Sequence, residues 1–229
     1  MANFSVIVPA AGSSTRFGGR VNKLLQDLRG LPVLTRTLGQ YALRADVAEI
    51  VVASWDRESA GQCIAKLDEP LRKKVRLCDG GTCRAGSVRE GLKAGSQEIQ
   101  WVAVHDAARP LVSQSVIDRT FAAAIQHGVA AAAMPMSLTI KQAIGPLPAP
   151  VMKTLPREQL WAMQTPQAMR RADLSEAFDK CPLPLEQVTD DVQLLELAER
   201  QVWLVLGDEK NLKITTPLDL QIAQTLLES

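Results

Sequence analysis

The sequence predicts an α/β fold: a single domain, residues 1–229, with a Rossmann-like, mostly parallel sheet flanked by helices and one extended arm. Three observations support this prediction. Short apolar runs rich in β-branched residues alternate with longer amphipathic runs, as in repeated β-α units. The chain has 229 residues, 46% of them apolar, enough to bury one substantial core. A proline-rich segment interrupts the alternation once and predicts the arm.

The candidate elements follow this alternation along the chain. Strands are predicted at residues 4–8, 49–53, 74–78, 101–105, 129–134 and 202–206, and helices at 32–45, 57–67, 84–95, 114–127, 189–199 and 217–227. Three local signals support the helix ends. Ser113 can cap the fourth helix, Gly128 can end it, and Pro217 suits a first helical position after Thr216.

The arm is predicted from the texture of residues 137–156. This stretch contains four prolines and one glycine and has little helical periodicity. Long irregular segments of this kind are often functional. We therefore expect an extended arm or long loop at about residues 137–157.

Composition excludes several classes of protein. The formal charge is +1, from 26 basic and 25 acidic residues, so no global field attracts nucleic acid or a charged membrane. No segment approaches the run of about 20 apolar residues that spans a bilayer, and the N-terminus lacks the pattern of a signal peptide. The four cysteines lack the spacing of a zinc or redox motif. We expect a soluble cytoplasmic protein with reduced thiols.

A loop rich in small residues follows the first strand and predicts a phosphate site. It begins with Ala10, Ala11, Gly12 and Ser13, and it carries the cations Arg16 and Lys23. In open α/β sheets, ligands bind beyond the carboxyl ends of the strands, where backbone N–H groups can wrap phosphates. The pattern is neither G-x-G-x-x-G nor GxxxxGK[ST]. The alternative is a surface loop whose two cations are only solvated.

Several segments together resemble a known family. They are VPAAG (8–12), DGG (79–81), RAGSV (84–88), VHDAARP (104–110), TIK (139–141), LWAMQTPQ (160–167), TDD (189–191) and NLKITTPLDL (211–220). Over its whole length the chain resembles the 2-C-methyl-D-erythritol 4-phosphate cytidylyltransferase family of sugar-phosphate nucleotidyltransferases. The resemblance implies transfer of CMP from CTP to a methylerythritol phosphate, in the supply of isoprenoid precursors.

Asp106 follows an apolar strand, which predicts that it lies beside the first loop. A single carboxylate suits Mg²⁺, which keeps most of its waters and takes further ligands from substrate phosphates. The resemblance implies this metal role for Asp106. The alternative is a carboxylate that only caps a turn before Pro110, while we expect His105 to pack inside the protein.

The resemblance also implies the other site residues. Gly81 and Ser87 resemble nucleotide contacts, although Gly80 and Gly81 can instead form a tight turn with positive φ, and Ser87 can be a solvated first-turn residue. The acceptor phosphate is expected to contact Thr139, Arg157 and Lys213, with Ala107, Arg109 and Thr189 nearby.

The position of the arm adds an expectation about assembly. Thr139 and Arg157 bracket the proline-rich stretch, so the resemblance implies a homodimer in which each arm completes its neighbour's site. Alternation in residues 211–215 predicts a short strand that carries Lys213. The alternative role for Lys213 is that of an edge-strand lysine, which discourages aggregation.

Two departures from the family pattern are visible. Lys210 stands where an acidic residue is usual, with Asp208 close by, and Leu24 stands where Gln is common. Two other functions are compatible with the fold. The acceptor can be another polyol phosphate such as ribitol 5-phosphate, or the chain can be a non-catalytic nucleotide-binding module. The second alternative is disfavoured because the charged residues of the predicted site are all present.

Overall fold

A central sheet of seven strands organises the computed structural model, which describes residues 2–12, 17 and 22–228. In spatial order the strands are β11 (Trp203–Leu206), β7 (Val129–Pro135), β10 (Trp161–Arg170), β6 (Trp101–Val104), β1 (Phe4–Pro9), β4 (Val47–Ser54) and β5 (Val75–Asp79). Only β10 runs antiparallel to its neighbours. The predicted mostly parallel α/β fold is therefore confirmed, and each of the six strands predicted from the alternation of apolar and amphipathic runs is present.

Eight α-helices are found among the described residues. They are α1 (Val33–Ala42), α2 (Arg57–Ala65), α3 (Glu69–Arg72), α4 (Arg84–Ala94), α5 (Gln114–His127), α6 (Arg171–Lys180), α7 (Asp191–Leu197) and α8 (Pro217–Leu226). In the described part of the chain, every helix is too short or too polar to cross a bilayer.

Helices cover both faces of the sheet because successive side chains of a strand point to opposite faces. In β1, Phe4, Val6 and Val8 pack into a core with α1, α2, α5 and α8, while Ile7 packs into a second core with α4, α6 and α7. Each face of the sheet therefore packs against its own buried core, and the carboxyl ends of the strands are held in position by this packing.

The helix-end predictions have different outcomes. Gly128 ends α5 with φ of 94°, and Thr216 and Pro217 begin α8 with a capping box that includes Asp219. Ser113 occupies the N-cap position of α5, but its side chain makes no capping bond. That prediction is wrong because the hydroxyl of Ser113 bonds to other side chains, those of Ser115 and Asp208.

Strand β10 and helix α6 were not predicted from the sequence. Pro166 within β10 argues against a central strand, because proline cannot donate to a ladder. The ladder between β10 and β7 is irregular between Met163 and Gln167, so Pro166 lies where no ladder bond is needed. A short hairpin, β2 (Asp27–Leu28) and β3 (Leu31–Pro32), was also missed.

The arm is a hairpin of β8 (Ile140–Ala143) and β9 (Val151–Leu155), separate from the central sheet. This agrees with the extended arm expected from the prolines. The strand predicted at 211–215 is wrong: these residues form no ladder. Within them, the Ile214 N–H bonds to the carbonyl of Ala108 in a loop, and Asn211 is held through its side chain. Individual hydrogen bonds to a loop and from a side chain therefore fix this segment, in place of a strand ladder.

Candidate active site

A cavity of about 630 Å³ opens where β1, β4, β5 and β6 end. Because these four strands are parallel, their carboxyl ends meet at one edge of the sheet, the usual place for a ligand in this class of fold. The volume suits a small-molecule ligand. The lining comprises Pro9, Ala10, Ala11, Gly12, Asn22, Lys23, Leu24, Ser54, Trp55, Asp56, Thr82, Cys83, Arg84, Ser87, Asp106, Ala107, Ala108, Lys213 and Thr215.

The first loop contributes small residues and one cation to this cavity. Ala10 is fixed to β4 by its N–H, which donates to the carbonyl of Ala53 at 2.8 Å. Lys23 begins a short 3-10 helix that Asn22 caps through a 3.0 Å bond to the Leu24 N–H. The predictions for Ser13 and Arg16 lie outside the described residues. The structure thus brings Ala10, Ala11, Gly12 and Lys23 to one cavity.

Asp106 lies two residues beyond β6 and is the centre of a charge cluster. Its carboxylate meets Arg84 Nε at 3.0 Å, Lys213 Nζ at 2.9 Å and Arg109 Nε at 3.4 Å. Burial alone would raise the pKa of Asp106, but Arg84, Lys213 and Arg109 outweigh it and hold the pKa well below its usual range. Asp106 therefore stays ionised at any physiological pH.

Arg84 is the cation whose role the sequence reasoning missed. It bridges Asp106 to the fully buried Asp191, with Nη2 2.8 Å from an Asp191 carboxylate oxygen. Burial by itself would lower the pKa of Arg84, but the charges of Asp191 and Asp106 outweigh burial and hold this pKa above its ordinary value. Its position carried a signal: Arg84 is the first residue of α4, and a cation is unfavourable at a helix N-terminus unless carboxylates face it.

The cluster carries an excess of positive charge. Three cations (Arg84, Arg109 and Lys213) face two carboxylates (Asp106 and Asp191), which leaves one positive charge more than negative. Lys23 lines the same cavity. The site is therefore suited to an anion.

His105 is a structural residue, as the sequence predicts. It is fully buried, and burial lowers its pKa to about 4. Its Nε2 lies 3.1 Å from the Arg109 carbonyl, so Nε2 donates and Nδ1 accepts from the hydroxyl of Thr165 at 3.0 Å. Thr165 Oγ1 in turn accepts the Asp106 N–H at 3.1 Å. This chain of bonds fixes the backbone that carries Asp106.

Arg109 is buried behind the cluster. Besides Asp106, its guanidinium donates to the carbonyl of Asn211 at 2.6 Å and to that of Met163 at 3.4 Å. Asn211 is itself fully buried and donates to the carbonyl of Thr165 at 2.8 Å. Arg109 thereby ties the segment that carries Lys213 to the Asp106 loop. Its predicted contact with an acceptor stays a prediction.

Gly80 and Gly81 are required by close packing. A Cβ on Gly80 would lie 2.4 Å from the side chains of both Ala11 and Trp55, and one on Gly81 would lie 2.3 Å from the Gly86 backbone. The alternative turn with positive φ is wrong, since neither glycine has that conformation. Ser87 is buried, with Oγ bonded to the carbonyl of Cys83 and to the N–H of Gly81, so the solvated alternative is also wrong.

Asp106 is the residue to which the sequence assigns a magnesium role. Among the described residues no group of three or more His, Cys, Asp or Glu side chains gathers to hold a metal. Mg²⁺ often uses one or two carboxylates and completes its shell with water and phosphate oxygens. The Asp106 carboxylate is surrounded by Arg84, Lys213 and Arg109, so it can serve as that ligand only together with the negative charge of bound phosphates, and its metal role stays a prediction. Asp208 is bonded to Lys210 and Ser113 instead.

Three predicted acceptor residues lie elsewhere on the chain. Thr139 and Arg157 are exposed residues of the arm region, and Arg157 donates to the carbonyl of Ser137 at 2.7 Å. Thr189 is exposed and bonds Gln193, just before Asp191. The structure brings Ala107 and Lys213 to the cavity but not Thr139, Arg157 or Thr189, so their roles stay predictions.

Comparisons with known proteins point to one family. The family model described as "IspD: 2-C-methyl-D-erythritol 4-phosphate cytidylyltransferase" matches residues 4–229. The enzyme of that name from Gloeobacter violaceus is 40% identical over 226 residues, 98% of this chain and 96% of the relative. The one from Symbiobacterium thermophilum is 40% identical over 224 residues, 98% of this chain and 92% of the relative.

Solved structures agree with the sequence comparisons. The crystal structure of 4-diphosphocytidyl-2C-methyl-D-erythritol synthase from Anaerococcus prevotii superposes with a TM-score of 0.83 at 29% identity, covering 100% of this chain and 99% of the other. The 2-C-methyl-D-erythritol 4-phosphate cytidylyltransferase of Francisella tularensis superposes with a TM-score of 0.82 at 32% identity, covering 98% and 99%.

Proposed function

The chain belongs to the 2-C-methyl-D-erythritol 4-phosphate cytidylyltransferase family, and from this premise we propose that its cavity joins the CMP unit of CTP to 2-C-methyl-D-erythritol 4-phosphate. The products are pyrophosphate and 4-diphosphocytidyl-2-C-methyl-D-erythritol, a precursor in the non-mevalonate route to isoprenoids. The observation that carries this assignment is the cationic cluster around Asp106, in a cavity that also includes the first loop and Lys23.

The reaction is an in-line displacement at phosphorus. An oxygen of the acceptor phosphate attacks the α-phosphorus of CTP, the bond from that phosphorus to the bridging oxygen breaks, and pyrophosphate leaves with the electron pair. The attacking oxygen is already ionised near neutral pH, so no general base is required. The protein's task is to position two anions and to stabilise the charge that grows in the transition state.

The lining residues divide that task. Backbone N–H groups of Ala11 and Gly12 would donate to phosphate oxygens beside Ala10, whose own N–H is bonded to Ala53, and Lys23 and Lys213 would supply positive charge. Arg16 is assigned the same role from the sequence. Gly81 and Ser87, which a 3.1 Å hydrogen bond joins, are assigned to the base and ribose from the family resemblance.

Asp106 would hold a Mg²⁺ ion, and the ion would supply positive charge against that of the CTP phosphates. Arg84, Lys213 and Arg109 keep this carboxylate ionised and fixed in direction. We place this reaction in the cytoplasm, the compartment expected from the sequence.

The second part of the proposal is a homodimer in which the arm completes a neighbouring site. Support comes from apolar side chains of the arm region that are largely exposed in the single chain: Leu138, Ile144, Leu147, Val151 and Met152. Exposed apolar clusters of this kind mark interaction surfaces. An isolated two-stranded hairpin is also only marginally stable by itself. Docking on a partner would bring Thr139 and Arg157 to the partner's acceptor pocket.

The experiment that tests the reaction is pyrophosphate release with CTP and each of two acceptors. Turnover should be fast with 2-C-methyl-D-erythritol 4-phosphate and slow with ribitol 5-phosphate. Faster turnover of ribitol 5-phosphate would reassign the acceptor. Binding of CTP without turnover of either acceptor would favour the non-catalytic alternative.

The shared site is tested by mixing two inactive variants, Lys23→Ala and Arg157→Ala. In a mixed dimer with exchanged arms, one site receives both intact residues, so activity should recover after subunit exchange. A control mixture of Lys23→Ala with Lys213→Gln should recover nothing, because both residues belong to the same protomer's cavity. Unchanged activity in the first mixture, or an active monomer by light scattering, would contradict the proposal.

A further inference from the structure

Trp55 stands at the end of β4 and lines the cavity in which the nucleotide is proposed to bind. It also lines a neighbouring cavity of about 490 Å³ beside Gly81 and Thr82. Its side chain is 63% exposed, although indole is among the largest apolar groups a protein carries. An exposed aromatic residue needs no explanation by itself, so the argument depends on how this ring is held and what lies beside it.

The indole ring is held in place on one side. Its Nε1–H donates to the carbonyl of Gly81 at 2.9 Å. Its Cδ1 packs so closely on Gly80 that a Cβ there would lie 2.4 Å away. The same Cβ would meet Ala11 at 2.4 Å, so the ring edge, the first loop and the turn after β5 touch at one point. The hydrogen bond and this packing leave the rest of the ring exposed at the cavity.

The charges that line the cavity are unevenly placed. The cations are Lys23 at the end of the first loop, Arg84 at the start of α4, and Lys213 in the segment before α8. The end of β4 and the loop after it contribute Ser54, Trp55 and Asp56, which include a carboxylate and no cation. A triphosphate is attracted to the first set and repelled by Asp56. The uncharged base of the nucleotide is therefore directed toward Trp55.

We propose that Trp55 is an aromatic wall on which the cytosine base of CTP stacks. This inference rests on the proposed function, and it names a residue that sets affinity for the nucleotide. Stacking on an aromatic ring is tolerant of base identity, because every base has a π face. Trp55 therefore contributes to the binding of CTP and UTP alike, and the choice of cytosine depends on other contacts.

The experiment measures CTP binding by isothermal titration calorimetry, with no acceptor present, for Trp55→Ala, Trp55→Phe and the control Trp203→Phe. Stacking energies predict that Trp55→Ala raises Kd on the order of 10-fold, while Trp55→Phe stays within about threefold. Trp203 is also partly exposed but stacks on His127 at the far edge of the sheet, so its variant should bind normally. The rise in Kd of Trp55→Ala should exceed its fall in kcat, and UTP should weaken by a similar factor.

Two results would overturn the inference. A Kd for Trp55→Ala within twofold of wild type would show that no stacking energy is present. Equal losses in Trp55→Ala and Trp55→Phe would assign the effect to the Nε1–Gly81 bond instead. If the wild-type protein binds CTP but turns over no acceptor, the proposed reaction is overturned. The CTP dissociation constants of Trp55→Ala and Trp55→Phe still test the stacking in that case. Wild-type protein that binds no CTP would overturn both.

Discussion

Replacing Lys213 with glutamine removes an ammonium group from the cavity and leaves a polar side chain that is one atom shorter. Nζ of Lys213 lies 2.9 Å from the Asp106 carboxylate, and the side chain is 35% exposed. Asp106 keeps Arg84 and Arg109 as partners after the change. The substitution should therefore leave the fold intact and reduce the positive charge that faces the two phosphate groups.

The magnitude follows from the position of the charge. Two unit charges 4 Å apart interact by about 1 kcal/mol in water and about 4 kcal/mol at the effective dielectric of a protein surface. Lys213 is partly exposed, so a loss of about 2 to 3 kcal/mol is expected, or about 30- to 150-fold in kcat/KM. Lys213→Arg, which retains the charge, should lose less.

The assay is pyrophosphate release with CTP and 2-C-methyl-D-erythritol 4-phosphate. Lys210→Gln is the matched control, because Lys210 is exposed three residues earlier and its backbone N–H, rather than its ammonium, makes the bond to Asp208. We expect the control to retain nearly full activity. If Lys213→Gln also retained kcat/KM within twofold of wild type, the electrostatic role assigned to this cluster would be refuted.

Three further predictions concern the cavity and the core. Lys23→Ala should lower kcat by about 10²- to 10³-fold in the same assay, the usual effect of losing one preorganised charge, and near wild-type turnover would contradict its role. Burial lowers the pKa of His105 to about 4, so on acidification the unfolded chain takes up a proton on this imidazole at a higher pH than the folded chain does, and the free energy of unfolding should fall by about 3 kcal/mol between pH 6.5 and 4. Urea unfolding across this pH range should show the fall, and an unfolding free energy that does not change with pH would refute it. In the His105→Gln variant the fall should disappear. Gly91→Ala places a Cβ 2.5 Å from Ile7 Cγ2 and should lower the free energy of unfolding by about 1 to 2 kcal/mol. In the control Gly61→Ala the new Cβ meets no atom within 4 Å, so this variant should be neutral or stabilising. A Gly61→Ala variant less stable to urea than Gly91→Ala would contradict this packing argument.

The parts of the fold that repeat a simple pattern were predictable from the sequence. The six predicted strands are short apolar runs between amphipathic segments, and each one forms. Strand β10 was missed because Pro166 disfavours a central strand, and the irregular ladder that tolerates this proline depends on strands distant in sequence. Residues 211–215 alternate like a strand, but Asn211 and Arg109 fix them by side-chain bonds that the sequence does not reveal.

The site was predictable to a similar degree. Asp106 and the small residues of the first loop follow strands closely, so their meeting at one sheet edge follows from parallel topology, and Lys23 comes at the end of that loop. The role of Arg84 depends on Asp191, which lies 107 positions later in the chain and comes close only through the packing of α7. Such long-range ion pairs are set by tertiary structure and not by local spacing.

The central claim is that this cavity transfers the CMP unit of CTP to a methylerythritol phosphate. CTP labelled with ³²P at the α-phosphorus tests it directly, because the label follows the CMP unit. With 2-C-methyl-D-erythritol 4-phosphate present, the account predicts that the label moves into a CDP-linked methylerythritol and that an equal amount of unlabelled pyrophosphate appears. Label that stays in CTP, or that appears as free CMP, would contradict it.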